Sequence, residues 1–422
     1  MNKVDRLIFH VDVNSAFLSW EAARRVANGQ ADLRLIPSCI GGDPKKRTGI
    51  VVAKSIPAKK YGVTTGEPMA MALRKCPELV CVQSDFKLYD KCSKAFKSIC
   101  QEYTPTMESF SIDEVFLDMS GMSKIYPDPI ATAHEIKNRI RDELGFTVNV
   151  GIGPNKVCAK MASDFEKPDK VHTLFADEIP SKMWILSVGD LFSCGKASTA
   201  KLIKANINTI GDLARADIKQ LKIILGEKTA VQLHSYANGI DESPVRQERD
   251  DAKGYSAETT LEENLEDLEG INKMLLVQAD VVTARMRAED AKCQCVGVVY
   301  RTIEFVNKSH QKKLAEATDV TELVYETAKE LIAESWDGTP LRLIGLSLTD
   351  IDRDGYEQMS FLVDERKERM KKLDSALDSI RGKYGNASIQ RASTINAKQR
   401  VNRRYVAETE NSRNRREDIN PF

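Results

Sequence analysis

Closely spaced cysteine pairs are missing from this chain of 422 residues: its nine cysteines include no C-x-x-C and no Cys/His cluster, and the nearest spacing is Cys293-x-Cys295. Structural zinc is thereby excluded as an organising device. An odd number of thiols without a framework pattern predicts reduced, mostly buried cysteines and a cytoplasmic protein. Long apolar runs are missing too. None approaches the roughly 20 residues of a membrane span. Asp5, Arg6 and Asp12 interrupt the apolar stretch near the start, so neither a membrane segment nor a signal peptide is expected. Net charge is also absent, with 62 Lys+Arg against 62 Asp+Glu. That balance leaves a nucleic-acid partner open, because the distribution of charge matters more than its sum.

What the chain does have is apolar material, 42% of residues, and a length that suits two to four domains. Residues 6–13 read as a strand, and 15–26 as a helix opened by Asn14-Ser15 as its cap. Strand, helix and strand follow at 49–54, 87–103 and 110–119, the last bent or paired. A helix at 131–144, a strand at 146–152 and a Gly153-Pro154-Asn155 turn into a further helix complete one α+β or α/β layer. Residues 183–238 read as helical, with a helical hairpin around Leu191-Phe-Ser-Cys-Gly-Lys-Ala-Ser-Thr-Ala-Lys201. Asp241–Gly254 is polar and reads as a linker. From Tyr255 to Ile351 a strand–helix–strand pattern occurs twice, with helices over 268–288 and 319–335. Beyond it, Met370, Leu373, Leu377, Ile380 and Tyr384 fall on one stripe of an amphipathic helix. The tail from Arg391 is basic and poor in apolar residues.

Three carboxylates stand out: Asp12, after Leu-Ile-Phe-His-Val, and the pair Asp113–Glu114, framed by Phe110, Ile112, Val115 and Phe116. Ionised side chains in apolar strands are costly to bury unpaired. Acids at strand ends point to a shared hard cation, and two Mg²⁺ ions are the usual way to run phosphoryl transfer with such ligands. Adjacent residues of a regular strand face opposite ways, so Glu114 can join Asp113 only at a bend.

Four motifs occur in order: Val11-Asp-Val-Asn-Ser-Ala-Phe17, Ser111-Ile-Asp-Glu-Val-Phe-Leu-Asp118, Val150-Gly-Ile-Gly-Pro-Asn-Lys-Val157 and Ala162-Ser-Asp-Phe-Glu-Lys-Pro168. Together they resemble the Y-family translesion DNA polymerases of the DinB/UmuC type, over residues 6 to 352. The resemblance implies a multidomain α+β right hand with an α+β little finger. The palm would span 1–17 and 84–170, and the small fingers 18–83. A helix-hairpin-helix thumb would span 171–241, a linker 242–254, the little finger 255–352, and a tail 353–422. It further implies that Asp12, Asp113 and Glu114, with the Val13 carbonyl, hold two Mg²⁺ ions, and that Phe17 is a steric gate against a 2′-hydroxyl. Read without the resemblance, Phe17 is simply an aromatic on the buried face of the first helix.

Lys167 matches a family phosphate lysine, and Lys59 stands where many members carry an arginine; Ala53 and Ile56 replace a threonine and a tyrosine. Lys54 and Ser55 are open as compensating groups. Gly195 and Lys196 of the hairpin are expected against DNA phosphate, with Ser193 in place of the usual first glycine. Arg301, Lys308, Lys312 and Lys313 lie around the little-finger strands, where the family grips phosphates. Gln358, Met359, Ser360, Phe361 and Leu362 resemble a sliding-clamp peptide with its last two apolar residues reversed. The implied partners are primed template DNA, deoxynucleoside triphosphates and a sliding clamp, for a monomer without proofreading. Two rivals stand beside this reading: a DNA-binding accessory protein of the damage response, and a palm-fold nucleotide cyclase. Against the second, Gly41-Gly-Asp-Pro44 fits a turn rather than a cyclase signature.

Overall fold

A computed structural model describes residues 6–43, 49–248, 250–353, 365–385, 388–394 and 421. They fall into two compact units that part at Asp250. No described helix is long and apolar enough to cross a membrane.

The first unit begins with β1 (Ile8–Val13) and α1 (Ala16–Ala27). A small sheet follows from β2 (Ser38–Gly41), β3 (Val51–Lys54) and, after α2 (Ile56–Lys60) and α3 (Met69–Lys75), β4 (Val80–Gln83). The chain continues through α4 (Phe86–Gln101), β5 (Met107–Ser109), β6 (Glu114–Asp118) and α5 (Pro129–Leu144) to β7 (Val148–Gly153), α6 (Lys156–Asp164) and β8 (Val171–Thr173). The main sheet runs β5-β6-β1-β7-β8, the small one β3-β2-β4. β1 is antiparallel to both of its neighbours, β6 and β7.

Alternation along β1 decides which residues meet the site. Phe9, Val11 and Val13 enter the large core shared with α1, α4 and α5. Ile8 belongs instead to a cluster with Phe116, Ala159 of α6 and Val245, and the period of two puts His10 and Asp12 on that same α6 face. Gly151 makes the face possible. A Cβ there would stand 2.0 Å from the Ala159 carbonyl oxygen and 2.4 Å from the Ser163 nitrogen, so only glycine lets α6 lie this close on β7. The expected cap of α1 is corrected: Ser15 sits at the N-cap with φ 48° and ψ 51°, and its side chain caps nothing.

The unit closes with α7 (Lys196–Lys204), α8 (Ile210–Arg215), α9 (Ile218–Leu225) and α10 (Glu227–Ala237). Their apolar residues share a core with Val157 and Met161 of α6. The element before the hairpin is a three-residue 3-10 turn, Val188–Asp190, rather than a helix. The following polar segment is strapped to the main sheet. Arg6 donates to the carbonyls of Asp241, at 3.1 Å, and Ser243. Arg246 N donates to Glu108 at 2.9 Å, and Val245 is buried.

The second unit is β9 (Tyr255–Leu265), α11 (Leu268–Arg287), β10 (Lys292–Thr302), β11 (Asn307–Thr318), α12 (Thr321–Ser335), β12 (Leu341–Asp352) and α13 (Glu365–Tyr384). Its antiparallel sheet runs β11-β10-β12-β9. Residues of α11 and α12 such as Ile271, Leu275, Val324 and Leu331 cover one face of it. The expected stripe of α13 is corrected. Leu377 is buried, but Leu373 and Tyr384 are exposed, and the helix is held chiefly by ion pairs. Asp374 accepts from the Thr321 nitrogen at 2.9 Å, Arg287 reaches Asp378 at 2.7 Å, and Arg381 reaches Asp280 at 2.6 Å.

Candidate active site

One strand pair and one bend bring the backbones of the three acids side by side. Asp12 and Glu114 are register partners across β1 and β6. Asp113 lies in the bend before β6, and its carbonyl accepts from the Val13 nitrogen at 3.0 Å. Ser111 Oγ donates to Asp113 Oδ1 at 2.6 Å. Lys97 Nζ fixes the same bend through the Ser111 carbonyl at 2.7 Å. The bend that Glu114 requires is therefore present.

Two ammonium groups already lie on these acids. Lys167 donates to Asp12, and Lys160 Nζ lies 2.6 Å from Glu114 Oε1. Burial raises the Asp12 carboxyl above the ordinary aspartate range even with Lys167 upon it. Burial alone would raise Glu114 as well, but the His10 ring and the Lys160 ammonium more than offset it and hold that carboxyl low. Burial pushes the His10 imidazole down to about 4, so it is neutral; its Nδ1 lies 2.8 Å from Ser163 Oγ, and its Nε2 faces Glu114 Oε2 at 3.9 Å, beyond hydrogen-bond length. Among the described residues no three His, Cys, Asp or Glu side chains converge closely enough to cage a metal. The donor set nevertheless fits a hard divalent cation: all its donors are oxygens, and two of the carboxylates have drawn in ammonium groups as stand-in cations.

Lys160 escaped the sequence reading. Its signal is the Lys156-x-x-x-Lys160 spacing, which puts both lysines on one face of α6. Lys156 carries Glu108, with both carboxylate oxygens at 2.9 Å.

Phe17, half-buried in the first turn of α1, packs its ring 4.8 Å from Tyr89 and 5.8 Å from Trp20. On the β3–α2 junction Ala53 is buried, while Ile56 and Lys59 are exposed. Ser55 is spent on structure: its Oγ accepts from the Ala58 and Ser38 nitrogens, both at 3.1 Å, and donates to the Ile36 carbonyl at 2.8 Å. Its hydroxyl thus has every hydrogen-bonding position filled within the fold. Lys54 and Lys59 form no ion pair among the described residues.

In the hairpin, Ser193 takes the left-handed φ of 69°. Gly195, at φ −72°, is the N-cap of α7 and Lys196 its first residue. A Cβ on Gly195 would meet nothing within 4 Å, so the fold itself does not demand glycine there. In the second unit Lys308, Lys312 and Lys313 of β11 pair with Asp337, Glu330 and Asp350, and Arg301 donates to Asn307 at 2.6 Å. Residues 358–362 lie outside the described residues.

A mixed, mainly antiparallel sheet with acids at the tips of two adjoining central strands, a helical appendage and a separate α+β unit define a palm-type polymerase. Residues 11–164 match the impB/mucB/samB family, 252–361 its C-terminal domain, and 189–241 the thumb domain of DNA polymerase-iota. The chain is 43% identical over 390 residues to DNA polymerase IV of Clostridium acetobutylicum, covering 92% of this chain and 98% of that one. It is 34% identical over 401 residues to DNA polymerase IV 2 of Bacillus subtilis, covering 93% and 95%. A solved Y-family DNA polymerase chimera shares the fold with a TM-score of 0.70 at 22% identity, over 82% of this chain and 99% of that one. The chain belongs to the impB/mucB/samB family of Y-family polymerases.

Proposed function

We infer that Asp12, Asp113 and Glu114 are the catalytic centre of a template-directed DNA polymerase of the translesion class. The observation that carries this reading is the register that sets Asp12 opposite Glu114, with Asp113 in the adjoining bend. The accessory-protein and cyclase readings are not favoured, since the curated relatives that match over nearly the whole length are DNA polymerases.

The three carboxylates and the Val13 carbonyl would hold two Mg²⁺ ions. When bound, these ions would neutralise the triphosphate and acidify the primer 3′-hydroxyl. The chain's own residues do the placing. Lys167, on Asp12, stands beside the position of the triphosphate. Lys59 adds a point charge from α2, without the bidentate fork an arginine would give. The Phe17 ring, braced by Tyr89 and Trp20, closes the space that a 2′-hydroxyl would need. Gly195 and Lys196 offer a helix N-terminus to a DNA phosphate without reading sequence. Residues 358–362 are proposed to tether the enzyme to a sliding clamp, raising its local concentration at the primer. The reading includes no proofreading step, and one copy of the chain supplies every residue in it.

Primer extension with Asp113→Ala tests the assignment. A loss on the order of a thousandfold is expected, equivalent to several kcal/mol of transition-state stabilisation. Extension at the unmodified rate would refute it. Deleting 358–362 should abolish stimulation by a clamp while leaving extension without it intact.

A further inference from the structure

Two buried asparagines spend their amides on the turn that carries Lys167. Asn149, on β7, is fully buried. Its Nδ2 donates to the carbonyls of Ser163 at 2.9 Å and Glu166 at 2.6 Å. Its Oδ1 accepts from the Lys170 nitrogen at 3.2 Å and from Asn14 Nδ2 at 3.1 Å. Asn14, one residue beyond β1, accepts from the Asp169 nitrogen at 3.0 Å. Three backbone groups of the 166–170 turn are thus fixed by side chains from β7 and from just past the end of β1.

The turn needs holding. Asp169 sits at φ 61°, a left-handed conformation that costs a non-glycine residue about 1 kcal/mol. Its carboxylate is drawn to Lys137 at 2.8 Å and Arg141 at 3.5 Å, while the Lys167 ammonium goes to Asp12. No other side chain substitutes for Asn149. The site uses both amide N–H groups and both acceptor positions of one small planar group. Aspartate would lose the two donations, and leucine would lose all four bonds and leave two carbonyls without a donor.

We propose that Asn149 and Asn14 are positioning residues for Lys167, and that they set its ammonium over Asp12 and the triphosphate of the incoming nucleotide. Nucleotide affinity therefore depends on two amides that touch neither substrate nor metal. This rests on the reading of Lys167 as a triphosphate ligand.

The test is a double-mutant cycle in the full chain: Asn149→Ser and Asn14→Ala, each in the wild-type and Lys167→Ala backgrounds. Nucleotide affinity is measured by fluorescence on a primer–template complex, with Ca²⁺ in place of Mg²⁺ to hold back chemistry. The kcat and KM for single-nucleotide addition are measured in parallel. In the wild-type background each variant should weaken nucleotide binding and raise KM about tenfold, with a smaller fall in kcat, as expected for a displaced binding group. In the Lys167→Ala background each should add less than about twofold, because residues acting through one group are not additive. Unchanged affinity in the wild-type background, or equal losses in both, overturns the inference and leaves the role of Lys167 standing. If Lys167→Ala alone leaves affinity unchanged, the reading of Lys167 falls and the inference with it. Should Asn149→Ser fail to fold, Asn14→Ala, which is bonded to the turn through Asp169 alone, carries the same outcomes.

Discussion

Lys160 stands 2.6 Å from Glu114, with side chains only 11% and 17% exposed, and serves as the internal counter-ion of that acid. Lys160→Met leaves the carboxylate without it. Removing one partner of such a shielded pair should lower stability by about 3 kcal/mol, read from urea denaturation in the absence of divalent ions. Added Mg²⁺ should raise the thermal midpoint of the variant more than that of the wild type. An equal rise in both would mean that Lys160 and the ion do not share Glu114.

Phe17→Ala should increase ribonucleotide incorporation, because the ring no longer fills the space beside the sugar. Tyr89→Leu should act in the same direction and less strongly, since it removes the brace 4.8 Å behind the ring. Competition between dCTP and CTP on a primed template reads both. Unchanged sugar discrimination in Phe17→Ala would remove the gate.

Gly195→Ala separates folding from binding. With an ordinary φ of −72° and open space around a new Cβ, the fold should tolerate alanine or gain slightly from it. Affinity for primer–template should nevertheless fall several-fold, because the methyl group stands where a phosphate would approach the N-terminus of α7. Full affinity in a stable variant argues against the hairpin contact.

Gly151→Ala should cost several kcal/mol, since the new methyl meets backbone of α6 that has no room to yield. The outcome is read as poor soluble yield or a strongly lowered thermal midpoint. A variant of wild-type stability would show that α6 can lift from β7.

Asp374→Ala should release α13. Its carboxylate serves the N-terminus of α12 and, at 3.2 Å, Arg391. Hydrogen exchange over 365–384 should quicken while β10 and β12 stay protected. Uniform protection would mean that Leu377 and the pairs of Asp378 with Arg287 and Arg381 with Asp280 hold the helix without Asp374.

Much of this was readable beforehand for a physical reason. The acids of β1 and β6 interrupt apolar strands, and alternation carries them to one face. The bend at Asp113 was required by chemistry before it was seen. What escaped depends on approach between elements. Lys160 and Asn149 look like a surface lysine and a strand amide until Gly151 brings α6 down on the sheet. Ser15 matched a capping residue by type, but its left-handed backbone turns the hydroxyl away from that task. The apolar stripe of α13 was real in spacing, yet charges on α11 and the first backbone nitrogen of α12 decide how the helix attaches. Ser55 was free in sequence terms because its bonds go to Ile36 and Ser38, a whole strand earlier.

β11 stands at one edge of the second unit's sheet, where an extended strand of another molecule could add and seed aggregation. Its sequence, Asn-Lys-Ser-His-Gln-Lys-Lys, opposes that. An incoming strand would have to strip water from Lys308, Lys312 and Lys313 and break their pairs with Asp337, Glu330 and Asp350. These paired cations therefore guard the protein against its own copies.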